Sequence, residues 1–422
     1  MNAVVAHSDD KDILYVSLKD AISKVLEKSP ELQAEQKKIG LSELDIDTAR
    51  ANYHPSLSLT GQVSHQQKRN DLDKKWGGTT PKSANLSVKQ PLYRGGQTVA
   101  EIEKQKVLKS FSEYNYQHAF QQKTLDTVKL YITTYWAAQG ITVNGNNISL
   151  LEKQLASTQA RFEAGELTKT DVAQAEAQLS QAKAEKRNFN ASFDIALSTF
   201  RRETGILNTV ELLYPNINLE KIPSTLDSAL SIGLRNNPQM MKAIASFETQ
   251  KHDIDIKKGA FLPQINLDAG LGAQYDSGVS GSYDDQKTAE IGISATIPLY
   301  QGGALKTDLE RSKLTKNKLL DDLEVTRQNI SDDIVTAWEN YKSIRFQLDA
   351  RKAQLEASKL AYQGVVLEEE VGARSVLDVL EANQDVKNAE LFLIETQRDF
   401  VTAYYTLFYA MGVLETSLWD KS

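Results

Sequence analysis

Val371-Gly372-Ala373-Arg374-Ser375-Val376-Leu377-Asp378-Val379-Leu380-Glu381 interrupts a long run of heptad-patterned residues, and its reading decides the fold. Gly372 is the one residue in the stretch suited to a positive φ angle, so it predicts the end of a helix. Ser375, followed three residues later by Asp378, predicts the cap of the next helix. Asp378 then stands in the first turn, where a helix N-terminus favours negative charge. The stretch reads as the tip of a helical hairpin. An earlier copy is Gly165-Glu166-Leu167-Thr168-Lys169-Thr170-Asp171, and Gly to Asp is six residues in both.

Working outward, the two tips belong to an internal duplication. Ser29-Pro30-Glu31-Leu32 matches Asn237-Pro238-Gln239-Met240, and Tyr53-His54-Pro55-Ser56-Leu57 matches Phe261-Leu262-Pro263-Gln264-Ile265. Gln90-Pro91-Leu92-Tyr93-Arg94-Gly95-Gly96 matches Ile297-Pro298-Leu299-Tyr300-Gln301-Gly302-Gly303, and Gly205 pairs with Gly412. The offset is 208, then 207, over the whole length. That period is too long for a solenoid repeat. It predicts two structural repeats, 16–214 and 224–414, whose elements need not pack within their own half.

Each repeat carries two segments of strict period-two alternation. Leu57, Leu59 and Val63 face one way, against Ser56, Ser58, Thr60, Gln62 and Ser64. Ala84, Leu86 and Val88 oppose Asn85, Ser87 and Lys89. In the second half Ile265, Leu267, Ala269, Leu271, Ala273 and Tyr275 alternate with polar residues and glycine, as do Ala289, Ile291, Ile293, Ala295 and Ile297. Four strands are expected, at about 56–65, 83–91, 264–275 and 288–298. Polar loops are expected over 66–82 and 276–286, with Pro91 ending the second strand. An ordinary half-buried sheet has the same alternation. The strand length, however, suits a tilted transmembrane strand of ~9–11 residues, and the small polar face suits a water-filled lumen. Tyr53, Phe261, Tyr93 and Tyr300 stand at the helix-side strand ends, as an interfacial girdle would. Four strands cannot close a barrel, for which ~8 is the usual minimum, so several chains would have to build one.

The helices are long. Gln97 to Glu163 and Ala304 to Glu370 each run 67 residues without proline, about 100 Å at ~1.5 Å per residue. Ile330, Ile334, Ala337, Tyr341, Ile344 and Leu348 recur at alternating spacings of four and three, as do Val172, Ala175, Leu179, Ala182, Lys186, Phe189, Phe193, Ala196 and Phe200. These are coiled-coil seams. Asn144-Gly145-Asn146-Asn147 predicts a bend or break in the first long helix.

The chain has 422 residues, with 49 basic against 56 acidic side chains and a net charge of −7. The balance does not suggest a nucleic-acid partner. Absence of cysteine excludes disulfides, thiol nucleophiles and cysteine–zinc sites among these residues, and no lipidated N-terminal cysteine is expected. No apolar run reaches the ~18 residues of a transmembrane helix. Met1 to His7 lack the basic and apolar regions of a signal peptide, which leaves a cytoplasmic protein or one whose signal has been removed. The five histidines are scattered, without HExxH, and Gly95-Gly96 and Gly302-Gly303 lack the Lys-Ser/Thr of a phosphate loop. No catalysis, cofactor or structural metal is expected. Glu368 to Glu370 read as a solvated helix face. Asp378 and Glu381, at i and i+3, share a helix face, and several copies around an axis would turn that pair into an acidic ring.

The duplicated P-L-Y-x-G-G joints, the N/S-P-x-[LM] helix starts and Val371-Gly372-x-Arg374-x-x-x-Asp378-Val379-Leu380 resemble those of the TolC family of outer-membrane export channels, from about Val16 to Leu414. The resemblance implies an α+β membrane protein of Gram-negative bacteria. Its homotrimer would form a 12-stranded β-barrel in outer-membrane lipid, four strands per chain, continued by a periplasmic α-helical barrel. It implies the exit channel of a tripartite system, for multidrug efflux or type I protein secretion, docked at its tips to a periplasmic adaptor and an inner-membrane transporter. It places an acidic constriction on Asp378 and Glu381, a site of possible cation block. It places the gate's locking arginine on Arg374 and the acidic partner on Asp171. The family's assisting tyrosine falls on Glu369, a departure that sets a carboxylate to compete for Arg374. Adaptor docking falls on Gly165, Glu166, Leu167, Gly372 and Ala373. Without an N-terminal cysteine, the lipid-anchored subgroup is disfavoured. The opposing expectation, a soluble coiled-coil scaffold, accounts for the helices and leaves the alternating strands unexplained.

Overall fold

The computed structural model describes residues 14–69, 76–207, 210–215, 217–277 and 283–414. The N-terminal residues Met1 to His7 and part of the expected 276–286 loop lie outside them. In chain order the elements are β1 (Leu14–Val16), α1 (Leu18–Lys28), α2 (Pro30–Ala51), β2 (Ser56–Val63), β3 (Gln66–Arg69), β4 (Trp76–Thr79) and β5 (Lys82–Arg94). Next come α3 (Gln97–Glu163), α4 (Lys169–Thr204), β6 (Val210–Leu212), a 3-10 turn at Leu219–Lys221, α5 (Leu226–Asn236) and α6 (Pro238–Gly259). The chain continues through β7 (Gln264–Ser277), β8 (Tyr283–Thr296), α7 (Ala304–Glu370) and α8 (Val376–Ala410). These elements fall into two units, each drawing segments from both halves of the sequence.

The first unit, residues 35–115 and 241–326, holds a four-stranded antiparallel sheet in the order β2-β5-β7-β8. Register lines the apolar positions into rows across all four strands: Leu57, Val88, Ala269 and Ile291, then Leu59, Leu86, Leu271 and Ala289. The intervening rows are polar or glycine: Ser58, Ser87, Gly270 and Glu290, then Thr60, Asn85, Gly272 and Thr288. On the polar face the Ser58 and Ser87 hydroxyls meet at 2.7 Å, and Ser294 donates to Asp268 at 2.5 Å. Among the described residues nothing covers the apolar face. Leu59 is 74% exposed, Ile291 77% and Ile293 70%. Below the sheet, Asp253 of α6 accepts from Lys104 of α3 at 3.1 Å and from Ser312 of α7 at 3.0 Å, tying three helices together.

Three local expectations are corrected here. The segment expected as a loop from Gln66 to Lys82 holds the paired strands β3 and β4, because the backbone of a polar ribbon pairs with itself whether or not a face is buried. The second strand does not stop at Pro91. It continues to Arg94 through a register shift between Pro91 and Tyr93, where the bulge accommodates a residue without an N–H. The second-half pair also extends into the expected loop, to Ser277 and from Tyr283, and ends at Thr296 before Pro298.

The second unit, residues 14–34, 116–240 and 327–414 of the described chain, is helical around a dense interior. Tyr131, Phe200, Ile132, Ile330, Ile334, Leu407, Met411 and Leu414 are fully buried. The Tyr131 hydroxyl shares its one proton between the Val16 carbonyl at 2.9 Å and the Leu213 carbonyl at 2.6 Å, anchoring the parallel β1–β6 pair that the sequence reading did not include. Burial pushes that phenol far above its ordinary pKa. The expected break near Gly145 is absent, since α3 is continuous. Asn144 is buried and donates to the Gly140 carbonyl at 2.8 Å, and Asn147 faces α8. Tertiary contacts therefore override the weak helix propensity of the Asn/Gly run.

Candidate functional site at the hairpin tips

Both hairpin tips are built by the same local chemistry. After α3, Gly165 adopts φ +83°, its N–H reaches the Phe162 carbonyl at 2.9 Å, and the Glu166 N–H reaches Arg161 at 2.9 Å. After α7, Gly372 adopts φ +76°, its N–H reaches Glu369 at 2.9 Å, and the Ala373 N–H reaches Glu368 at 2.8 Å. The crossed pair of bonds ends each helix, and a side chain with Cβ is strained at such φ. Thr168 and Ser375 then start α4 and α8 through capping boxes with Asp171 and Asp378.

Those boxes set the state of two of the expected gate residues. The backbone and hydroxyl of Ser375 both donate to Asp378 at 2.8 Å. These bonds, with a smaller contribution from Arg374, hold the Asp378 carboxyl below the usual carboxylate range. The cap engages one carboxylate oxygen, and the lowered pKa leaves the group ionised at neutral pH. The Thr168 hydroxyl and backbone do the same for Asp171, at 2.7 and 2.8 Å. Glu381 lies exposed one turn beyond Asp378.

Within the chain, Arg374 does not meet Asp171. Its Nε donates to Glu368 at 2.9 Å, and Asp171 is held by its own cap. Glu369 does not take Arg374 either. It is 8% exposed and accepts from Arg161 of α3 at 2.5 Å, while Arg161 Nε also donates to Glu166 at 3.2 Å. Gly165, Glu166, Gly372 and Ala373 are exposed, and Leu167 packs beneath them. The tips rest on a shared apolar cluster of Leu151, Ala175, Leu179, Ala182, Val376 and Leu380, from α3, α4 and α8.

Behind this cluster is a polar layer that the sequence reading missed. Asn383 donates to Asn147 at 2.8 Å, and Lys387, almost fully buried, donates to Glu185 at 2.7 Å. Burial pushes the Glu185 carboxyl up, and its bonds to Lys387 and Gln181 more than offset that, leaving it below the usual range. A signal was present. Val376, Leu380, Asn383 and Lys387 continue the four-three spacing of a buried face with polar residues.

A family model of outer membrane efflux proteins matches residues 21–205 and again residues 229–413. The chain belongs to the outer membrane efflux protein family. It is similar to outer membrane efflux protein BepC of Brucella suis biovar 1, with 26% identity over 94% of this chain and 85% of the relative. It is similar to outer membrane protein TolC of Escherichia coli K12, with 22% identity over 87% of this chain and 76% of the relative. Among solved structures, the outer membrane protein VceC of Vibrio cholerae superposes with a TM-score of 0.78 at 16% identity, covering 94% of this chain and 96% of that one. The fold is that of the TolC-like channels. As a member of this family the chain is an outer-membrane exit channel for efflux or type I secretion, a transport conduit. Channels of this family work with adaptors and inner-membrane transporters.

Proposed function

We propose that this family member works as a homotrimer whose sheets close into one 12-stranded barrel, with the hairpin tips of α3–α4 and α7–α8 forming a gated periplasmic entrance. The observation that carries this reading is the sheet. Its apolar face carries exposed residues in all four strands, and among the described residues its outer strands β2 and β8 each leave one edge without a partner. An even number of antiparallel strands places β2 and β8 in opposite directions. The β8 edge of one chain can therefore meet the β2 edge of the next as another antiparallel pair, which removes every free edge. Each repeat supplies one strand pair and one long helical hairpin to the shared barrel and tunnel.

At the entrance, Asp378 and Glu381 of three chains would bring six carboxylates around one axis, attractive to divalent cations. The cap on Asp378 supports an ionised ring. Arg374 and Asp171 are held locally within a chain, so a contact between them as a lock would join neighbouring chains. The exposed residues Gly165, Glu166, Gly372 and Ala373, with Leu167 below, form the adaptor-docking surface. The test is conductance in planar bilayers. Asp378→Ala with Glu381→Ala should lower cation selectivity and abolish block by divalent cations added from the tip side. Retention of wild-type block by the double variant would place the constriction elsewhere.

A further inference from the structure

We propose that Arg161 and Glu369 form a latch inside each chain that holds the α7–α8 hairpin against the α3–α4 hairpin in the closed state. The proposal rests on the gated-entrance reading above and adds a contact that acts within one chain. Four observations support it.

The first is the contact itself. The Arg161 guanidinium donates to the Glu369 carboxylate at 2.5 Å, and the Glu369 side chain is 10% exposed against 34% for Arg161. An ion pair this well covered is screened by salt less than a surface pair. It also keeps enough exposure at the arginine for the two groups to rehydrate when they part. The second is its place. Glu369 lies in the last turn of α7, three residues before the positive-φ Gly372, and Arg161 lies in the last turn of α3, four residues before Gly165. Among the described residues it is the one hydrogen-bonded contact between the last turn of α7 and the α3–α4 hairpin, because Glu368 turns back to Arg374.

The third is the chemistry of the side chain at 369. A carboxylate accepts hydrogen bonds, so it pairs with a cation and not with the acids of the neighbouring tip. Arg161 supplies that cation, and the Asp171 carboxylate is already engaged by Thr168. The fourth is the contrast with the layer behind it. Lys387–Glu185 and Asn147–Asn383 join the same two hairpins, with Lys387 only 5% exposed. Parting those groups would strand a nearly buried ammonium without its partner. The deeper layer is the fixed point, and the tip pair is the contact that opens.

The experiment measures closed-state conductance of the full-length protein in planar bilayers. Arg161→Gln and Glu369→Gln should each raise it several-fold, and the double variant should go no higher than either single one. The exchanged pair, Arg161→Glu with Glu369→Arg, should return it toward wild type. Lys183→Gln, which removes an exposed ion pair between α3 and α4 of one hairpin, should leave it unchanged. Wild-type conductance in both single variants, or an exchanged pair as open as they are, would overturn the latch. Thermal melting in detergent accompanies each variant, and raised conductance in a variant that melts like wild type separates gate release from lost folding. The cation block is read on the same channels. A latch failure with block still dependent on Asp378 and Glu381 leaves the entrance reading standing. Loss of that dependence counts against the entrance reading whatever the latch variants do.

Discussion

At the scale of single residues, the tips are set by backbone chemistry that is nearly all local. Glycine at 165 and 372, a hydroxyl three residues later, and a carboxylate three beyond that are enough to stop one helix and start the next. This is why the tips, and the place of Asp378 in the first turn of a helix, were legible in the sequence. The partners of charged side chains were not. Arg374 chooses Glu368, and Glu369 chooses Arg161, 208 residues away. No pattern along the chain says which of several acids an arginine will meet. Lys387 and Glu185 show what such a choice is worth. Leaving either group unpaired at this depth should cost roughly 1–3 kcal/mol. The folded carboxyl of Glu185 is held below its ordinary value near 4.5, so the unfolded chain binds the proton more readily. Its contribution is fully present above that ordinary value and is lost as the pH falls through the lower, folded one. Glu185→Gln should therefore melt below wild type at pH 7, with the gap closing below about pH 4.5. A gap independent of pH would mean that the carboxylate's charge contributes nothing.

At the scale of elements, alternation and heptad spacing each reported which face is apolar, and the elements formed where those patterns ran. The seam from Ile330 to Tyr341 is buried as its spacing requires. The misreadings fall where a local breaker was outvoted by contacts remote in sequence. Asn144-Gly145 stays helical against α4, where a Cβ at Gly145 would meet the Lys186 ammonium at 3.5 Å. Pro91 stays in β5 through a bulge. The parallel β1–β6 pair joins segments almost 200 residues apart and only three residues long, too short for any periodicity. The sheet's two faces carry a direct consequence. Leu59 lies on the apolar face and Ser58 on the polar one, both in β2. A lysine facing lipid near the bilayer centre costs ~2–4 kcal/mol, and one facing a water-filled lumen costs little. Leu59→Lys should deplete the protein from outer-membrane fractions, whereas Ser58→Lys should not. Equal depletion by both would contradict the assignment of faces.

At the scale of the whole molecule, the central claim is that one chain is incomplete. Among the described residues its sheet has two free edges and an uncovered apolar face, and a lone chain with four strands cannot enclose a lumen. The soluble-scaffold alternative leaves that face to water, where an apolar surface of this extent drives aggregation. Three copies give the edges partners, the apolar face lipid, and the polar rows of Ser, Thr, Asn and Gly a wet interior. In the proposed trimer three acidic tips would also stand around one axis, which would turn Asp378 and Glu381 into a constriction rather than a pair of solvated side chains. Light scattering of the detergent-solubilised protein, with the detergent contribution subtracted, tests this most directly. The account predicts the mass of three chains of 47.0 kDa, and a monomer, or a species stable in water without detergent, would contradict it.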